Sequence, residues 1–275
     1  MTNLLFIGDI VGRPGRDLLR KGLAALASHH NIDLVIANVE NSAAGFGVTP
    51  DIAHELFEYG VHVMTGGNHT WDKKEIIPYF AKQPRMIRPA NFPEGAPGLG
   101  RYCAKAENGV MVGVVNVMGR VFMIPLDDPF KSVLKEIEAV KAQGAQLVFV
   151  DFHAEATSEK VAMGWHLDGI ATAVVGTHTH VQTADNRVLP KGTAYTTDVG
   201  MTGPHDSVIG VDRAAIVHRF LSAMPQRFET ATENPRLNGV VVRADESTGR
   251  AISIERVNLS LQELETLAVT PVASA

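Results

Sequence analysis

Leu4-Leu5-Phe6-Ile7-Gly8-Asp9 decides the reading of this chain: four apolar residues, enough for a short buried strand, end in a glycine and a carboxylate. The arrangement returns four more times. Leu34 to Ala37 runs into Asn38-Val39-Glu40-Asn41, and Val61 to Met64 runs into Gly66-Gly67-Asn68-His69. Leu147 to Phe152 leads to His153-Ala154-Glu155, and Ala173 to Val175 leads to Gly176-Thr177-His178-Thr179-His180. Each expected strand therefore delivers metal-capable side chains just past its C-terminal end, the edge at which open α/β sheets carry their active sites.

Between these strands the pattern is helical. A helix is expected from about Gly15 to Ser28, and Thr49-Pro50 supplies an N-cap and a first-turn proline for a second one that Gly60 closes. Asp128-Pro129 opens a third that stops at Gly144, and Arg213 to Ala223 reads as a fourth. Tyr102 to Ala106 and Val110 to Val117 flank Asn108-Gly109, a dipeptide preferred in tight hairpin turns, so antiparallel strands enter here. Thr193 to Thr197 reads as another strand. Asn238 to Arg243 and Ala251 to Val257 read as a closing hairpin around Glu246 to Gly249. The fold class expected is α/β with mixed sheets, in a single domain spanning residues 1–275 whose tail, Thr270 to Ala275, is frayed.

Composition narrows the function classes. With 275 residues and 45% hydrophobic content, the chain can bury a sizeable core. Its formal net charge is -5 and no block of lysines and arginines stands out, which argues against a track for duplex nucleic acid while leaving small nucleotides open. The one cysteine, Cys103, excludes an internal disulfide framework and a thiolate zinc cluster, so nitrogen and oxygen must hold any metal. Met1-Thr2-Asn3 runs straight into the first strand with no leader, and no stretch reaches the length of a membrane span. A cytoplasmic protein with no membrane partner is expected. The oligomeric state stays open, a homo-oligomer included.

Taken singly, each polar strand end reads as ordinary structure: Asp9 as a turn residue, Glu40-Asn41 as a cap, Asn68 in a left-handed turn, His153 as a core histidine. His178 and His180 say more, because residues two apart on an extended segment point to one side. Jointly the inventory is that of a two-metal site. Two cations about 3.5–4 Å apart need a bridging carboxylate, for which Glu40 is the candidate, while imidazoles and amide carbonyls fill the remaining positions. With only Asp9 and Glu40 as carboxylates the pair of cations stays net positive and attracts phosphate. Mixed nitrogen and oxygen ligands without sulfur suit iron, manganese or zinc more than calcium and do not choose among the three; two divalent or mixed-valence ions are expected, iron or manganese ahead of zinc.

These motifs resemble the calcineurin-like metallophosphoesterase superfamily, whose strand ends carry Gly-Asp, Gly-Asn-His and late histidines. The match is closer to its YmdB-like branch, through Phe6-Ile7-Gly8-Asp9-Ile10-Val11-Gly12-Arg13-Pro14-Gly15-Arg16, Ala37-Asn38-Val39-Glu40-Asn41 and the run GTHTHVQTAD from Gly176 to Asp185. Where many superfamily members carry Asp-x-His after the first strand and a bridging Asp after the second, this chain has Asp9-Ile10-Val11 and Glu40-Asn41, which favours the narrower branch. The resemblance covers nearly the whole chain. It implies a four-layer α/β/β/α sandwich of the metallo-dependent phosphatase type. It also implies that Asp9, Glu40, Asn41 and His180 hold one metal, that Glu40, Asn68, His153 and His178 hold the other, and that His69 is the proton donor.

The expected activity is hydrolysis of a small phosphodiester by in-line attack of a hydroxide held between the metals, and the branch implies cyclic nucleotides such as 2',3'-cyclic nucleoside monophosphates. A phosphomonoesterase or nucleotidase is the alternative enzyme, and a non-catalytic, metal-dependent nucleotide-binding regulator is the alternative of another class. Around the core set, Arg13 ranks low as a phosphate ligand, and Arg16 is expected to start a helix on a solvated face. Ser42, Gly45 and Gly47 are second-rank candidates for substrate approach. Glu155 and Asp185 are candidates to orient histidine rings, and Trp71, opening a helix, is expected to pack.

Overall fold

In the computed structural model, which describes residues 1–269, two six-stranded sheets lie face to face and helices cover both outer surfaces. The N-terminal part alternates β1 (Thr2–Ile7), α1 (Gly12–His29), β2 (Leu34–Asn38), α2 (Pro50–Glu58) and β3 (Val63–Thr65). A 3-10 turn at Lys74–Ile76 and the single-turn α3 (Ile77–Phe80) follow. Next come β4 (Arg101–Lys105), β5 (Met111–Met118), α4 (Pro129–Ala142), β6 (Leu147–His153), α5 (Thr157–His166), β7 (Ala173–Thr177), β8 (Arg187–Val188) and β9 (Ala194–Thr196). The chain closes with β10 (Gly203–Pro204), α6 (Arg213–Ser222), β11 (Pro235–Asp245), β12 (Arg250–Ser260) and α7 (Leu261–Val269).

In the first sheet β1, β2 and β3 are parallel, while the long C-terminal hairpin returns so that β11 pairs antiparallel with β1. The second sheet runs β4-β5-β6-β7-β9-β8, parallel through its middle and antiparallel at both edges. Strand alternation then builds three apolar layers. Leu5 and Ile7 face Leu18, Leu19, Leu23 and Leu26 of α1. Leu4 and Phe6 point the other way, into the interior between the sheets, where the Phe6 and Phe149 rings stack at 5.3 Å. Such a pair is worth about 0.5–1.5 kcal/mol beyond the area it buries. Beyond the second sheet, Val148, Val150 and Phe152 of β6 pack on Val133, Ile137 and Val140 of α4 and on Met163 of α5. The result is the expected α/β/β/α sandwich.

Local signals match the structure in most places. Thr49 accepts a hydrogen bond from Ile52 N at 3.2 Å and Asp128 from Phe130 N at 2.9 Å, each with proline in the first turn behind it. Elsewhere the structure corrects the reading. α1 begins at Gly12 because Pro14 sits in its first turn, where no donor is required. The β4–β5 turn is a three-residue loop closed by Ala106 N to Val110 O, and in it only Gly109, at φ 90°, takes the left-handed conformation that a two-residue Asn-Gly turn would demand of both residues. Trp71 opens no helix; it lies in the turn ahead of Lys74 and packs edge-on to Phe92 and tilted against Phe80. Arg16 is not solvated, since it donates to Ser42 O at 2.7 Å and pairs with Glu55. α5 and α7 have no counterpart in the sequence reading. The tail from residue 270 lies outside the described residues. Among those described, no helix is long and apolar enough to cross a membrane.

The join between β2 and β3 rests on a side chain. His62 N donates to Val35 O and, in return, His62 Nδ1 accepts from Val35 N at 2.9 Å, continuing the ladder one step beyond the strand. Burial lowers the His62 pKa, with Glu107 opposing and Arg85 assisting, so the folded protein prefers the neutral ring that this bond requires. Replacing His62 with Ala leaves the Val35 N–H without a partner and should cost about 1–3 kcal/mol at pH 8 in denaturant unfolding. Because the folded pKa is depressed, the contribution is whole above the unfolded value near 6.5 and is lost as pH falls through the folded one. The gap between parent and variant should therefore narrow by pH 5; a gap independent of pH would exclude the bond.

Candidate metal centre

The strand ends converge because both sheets present their C-terminal edges on the same side of the sandwich. Asp9 follows β1, Glu40 and Asn41 follow β2, Asn68 and His69 follow β3, His153 is the last residue of β6, and His178 and His180 follow β7. His153 Nε2 is the centre of one group: Asn68 Oδ1 lies at 2.9 Å, Glu40 Oε1 at 3.0 Å and His178 Nδ1 at 3.1 Å. Gly67 makes this approach feasible, since a Cβ there would sit 2.3 Å from His153 Nε2 and 2.5 Å from Glu40 Oε2.

The outward atoms of these side chains are occupied by protein partners, which determines what the inward atoms are. His153 Nδ1 is 2.9 Å from Thr177 Oγ1, and that hydroxyl in turn donates to Asp151 Oδ1 at 2.8 Å. The hydroxyl's proton being committed, Nδ1 carries the hydrogen and Nε2 offers a lone pair. His178 Nε2 lies 3.0 Å from Glu155 Oε2, which likewise leaves its Nδ1 as a lone pair. Both rings therefore turn a lone pair, and not an N–H, toward Glu40 Oε1 and Asn68 Oδ1.

A second group repeats the logic. His180 Nδ1 donates to Ile209 O at 2.8 Å and its Nε2 faces Asp9 Oδ1 at 4.0 Å. Asn41 Nδ2 donates to Gly45 O, freeing its carbonyl, and Asp9 Oδ2 accepts from His178 N. Asp9 Oδ1 and Asn41 Oδ1 are buried without a hydrogen-bond partner among the described residues. Burial raises the Asp9 pKa to about 7, with His153 opposing, and raises that of Glu40 to about 7, with His69 opposing. Burial also lowers His153 and His178 to about 3, which keeps both rings neutral as ligands must be. Desolvated carboxylates among neutral imidazoles and orphaned carbonyls are a donor set that cations compensate. The residues fit two metal ions.

A buried polar layer supports the cluster from below. Asp151 accepts from Thr65 and Asn38 of the first sheet and from Thr177 of the second. Asn116 accepts from Gly66 N and donates to Asp151 O. Burial pushes Asp151 up to about 7 while the hydroxyls of Thr65 and Thr177 draw it down.

Two expectations need correction, and one residue pair escapes the sequence reading. His178 and His180 do not lie on an extended segment; their φ values of 99° and 66° turn the chain at both, and they face different groups. Asp185 orients no histidine, its carboxylate being taken by Thr183 and Thr197, whereas Glu155 does hold His178. Arg13 is exposed beside Asp17. The pair that escapes is Lys160 and Asp198, both buried, at 2.6 Å. Asp198 also accepts from the backbone and hydroxyl of Thr179, the residue between the two histidines, and so clamps a loop whose positive φ values cost about 1–3 kcal/mol each. Asp198 stands just past the expected strand Thr193 to Thr197, so the strand-end rule reaches it too.

Thr177→Val should weaken Mn2+ binding by about 10–100-fold in calorimetric titration, with unchanged circular dichroism, because the hydroxyl that fixes the His153 ring is gone. Unchanged affinity would mean that the ring is oriented by something else.

The YmdB-like protein family matches residues 5–257 of this chain. A 2',3'-cyclic-nucleotide 2'-phosphodiesterase of Bacillus subtilis is 52% identical over 254 residues, covering 92% of this chain and 96% of that relative. Among solved structures, a novel phosphatase from Mycoplasma pneumoniae superposes with a TM-score of 0.87 at 36% identity, covering 94% of this chain and 93% of its own. A hypothetical protein from Thermus thermophilus gives a TM-score of 0.86 at 41% identity, covering 94% of this chain and 99% of its own.

Proposed function

The chain belongs to the YmdB-like protein family, and on that premise we propose that it is a metal-dependent phosphodiesterase acting on 2',3'-cyclic nucleotides. The observation that carries the reading is the convergence of Glu40, Asn68, His153 and His178 beside a cavity of about 660 Å³ that Glu40, His178 and His69 line. Asp9, Glu40, Asn41 and His180 would hold one cation and Glu40, Asn68, His153 and His178 the other. When bound, iron, manganese or zinc ions supply Lewis-acid neutralisation of the phosphate and activation of the attacking water.

The chain's own residues do the rest. Glu40 links the ligand set to the proton donor, since its Oε2 accepts from His69 N at 2.8 Å while Oε1 faces His153. His69 Nδ1 is held by Asp72 Oδ2 at 2.8 Å, and its ring meets that of Phe46 edge-on. With Nδ1 held, Nε2 is the atom left to hand a proton to the ribose oxygen that leaves when the cyclic ester opens. The ring then remains as the Nδ1–H tautomer, still hydrogen-bonded to Asp72. A buried, half-enclosed site of this kind also keeps bulk water from competing for the same bonds.

His69→Ala should lower kcat for 2',3'-cyclic AMP roughly 100- to 10,000-fold with metal content intact by mass spectrometry, while Glu40→Gln should lose the metal itself. Equal turnover by His69→Ala and the parent would remove His69 from the reaction. A parent that released phosphate from p-nitrophenyl phosphate faster than it opened the cyclic ester would replace the diesterase reading with a monoesterase.

A further inference from the structure

The cavity has two chemically different ends. One is the ligand cluster; the other is apolar and is walled by Phe46, Ile216, Phe220 and Phe228. Part of this wall is α6, a helix in which no residue is buried and on which Phe220 stands 83% exposed. An exposed aromatic face with no packing role marks a surface that binds something. The wall is also joined to the ligands. Ile209 O accepts from His180 Nδ1, Gly210 O accepts from Ala231 N and Asp212 N donates to Glu229 O, so one ladder ties His180, the start of α6 and the Phe228 segment together. Phe46 is tied through its edge contact with His69. The Trp71 ring is not free to join them, being packed against Phe80 and Phe92.

Resting on the phosphodiesterase reading, we propose that Phe46, Phe220 and Phe228 form the subsite for the nucleobase of the substrate. A phosphate at the ligand cluster places the rest of a nucleotide along the direction in which this cavity extends, toward the phenyl rings. Phenyl faces stack on any base, because every base presents a π-face, and they carry no hydrogen-bonding group that would choose among bases. The Arg219 guanidinium lies over the Phe228 ring, 5.0 Å from its centroid, and stiffens that side of the wall. The phenyl rings therefore favour a base without choosing which base.

The test compares 2',3'-cyclic AMP with ribose 2',3'-cyclic phosphate, which has the same reacting ester and no base. Phe220→Ala removes an exposed ring from a surface helix, so the fold is not at risk, and it should lower kcat/KM for the nucleotide about tenfold, mainly through KM. The base-free ester should be turned over as before, and Phe220→Trp should restore the nucleotide. An equal loss on both substrates, or no loss on either, would overturn the subsite. If the unaltered chain opens neither ester, the phosphodiesterase reading falls and takes the subsite with it.

Discussion

Beneath the histidines and carboxylates of the candidate centre, the Asp151 carboxylate is sealed between two β-sheets and accepts hydrogen bonds from both. Thr65 and Asn38 reach it from one side and Thr177 from the other. A carboxylate taken from water costs several kcal/mol unless its lone pairs are met, so the two sheets are held in the one registration that meets them. Apolar layers tolerate small slips; this layer does not. The positions of His153, through Thr177, and of the Gly66-Gly67 turn, through Asn116, follow from it.

Above that layer the structure solves one electrostatic problem in two ways. Where a positive side chain can be spared, it is buried with its partner: Lys160 and Asp198 form an ion pair that fixes the loop carrying His178 and His180. Where chemistry is required, no lysine or arginine is supplied, and Asp9, Glu40 and neutral imidazoles are left facing one another. Burial keeps the histidine rings neutral and leaves the two carboxylates short of compensating charge, which either protons or cations can supply. The cavity that opens from it combines this polar end with an aromatic one, a combination suited to an ester joined to a flat ring system.

Much of this was legible in one dimension because strands of α/β folds end where sites begin, and a polar residue after a short apolar run is visible without knowing its neighbours. The seven residues expected as ligands all stand at or just past strand ends on one edge of the sandwich for that reason. Part of what escaped has a broken apolar period. The buried side of α5 carries Glu159 and Lys160, which bind Arg120 N and Asp198, so hydrophobic spacing could not reveal the helix. Among what escaped, α7 by contrast keeps its apolar spacing, with Leu261, Leu264 and Leu267 all packing on the core and Gly22 leaving room for Leu264. The turns at His178 and His180 depend on Asp198, far along the chain, and no local rule predicts positive φ at two histidines.

The donor types, their place at strand ends, the alternation that makes each strand two-faced and the caps that start α2 and α4 are all written in the order of residues, because each is set within one or two turns of chain. Which nitrogen of each histidine faces inward, that Arg16 and Asp185 serve the scaffold and not the site, and that the cavity ends in phenylalanines from two distant stretches of chain are all set by folding. Tautomers, orphaned oxygens and cavity walls are properties of partners brought together across the sandwich, and a chain read in order does not contain its partners.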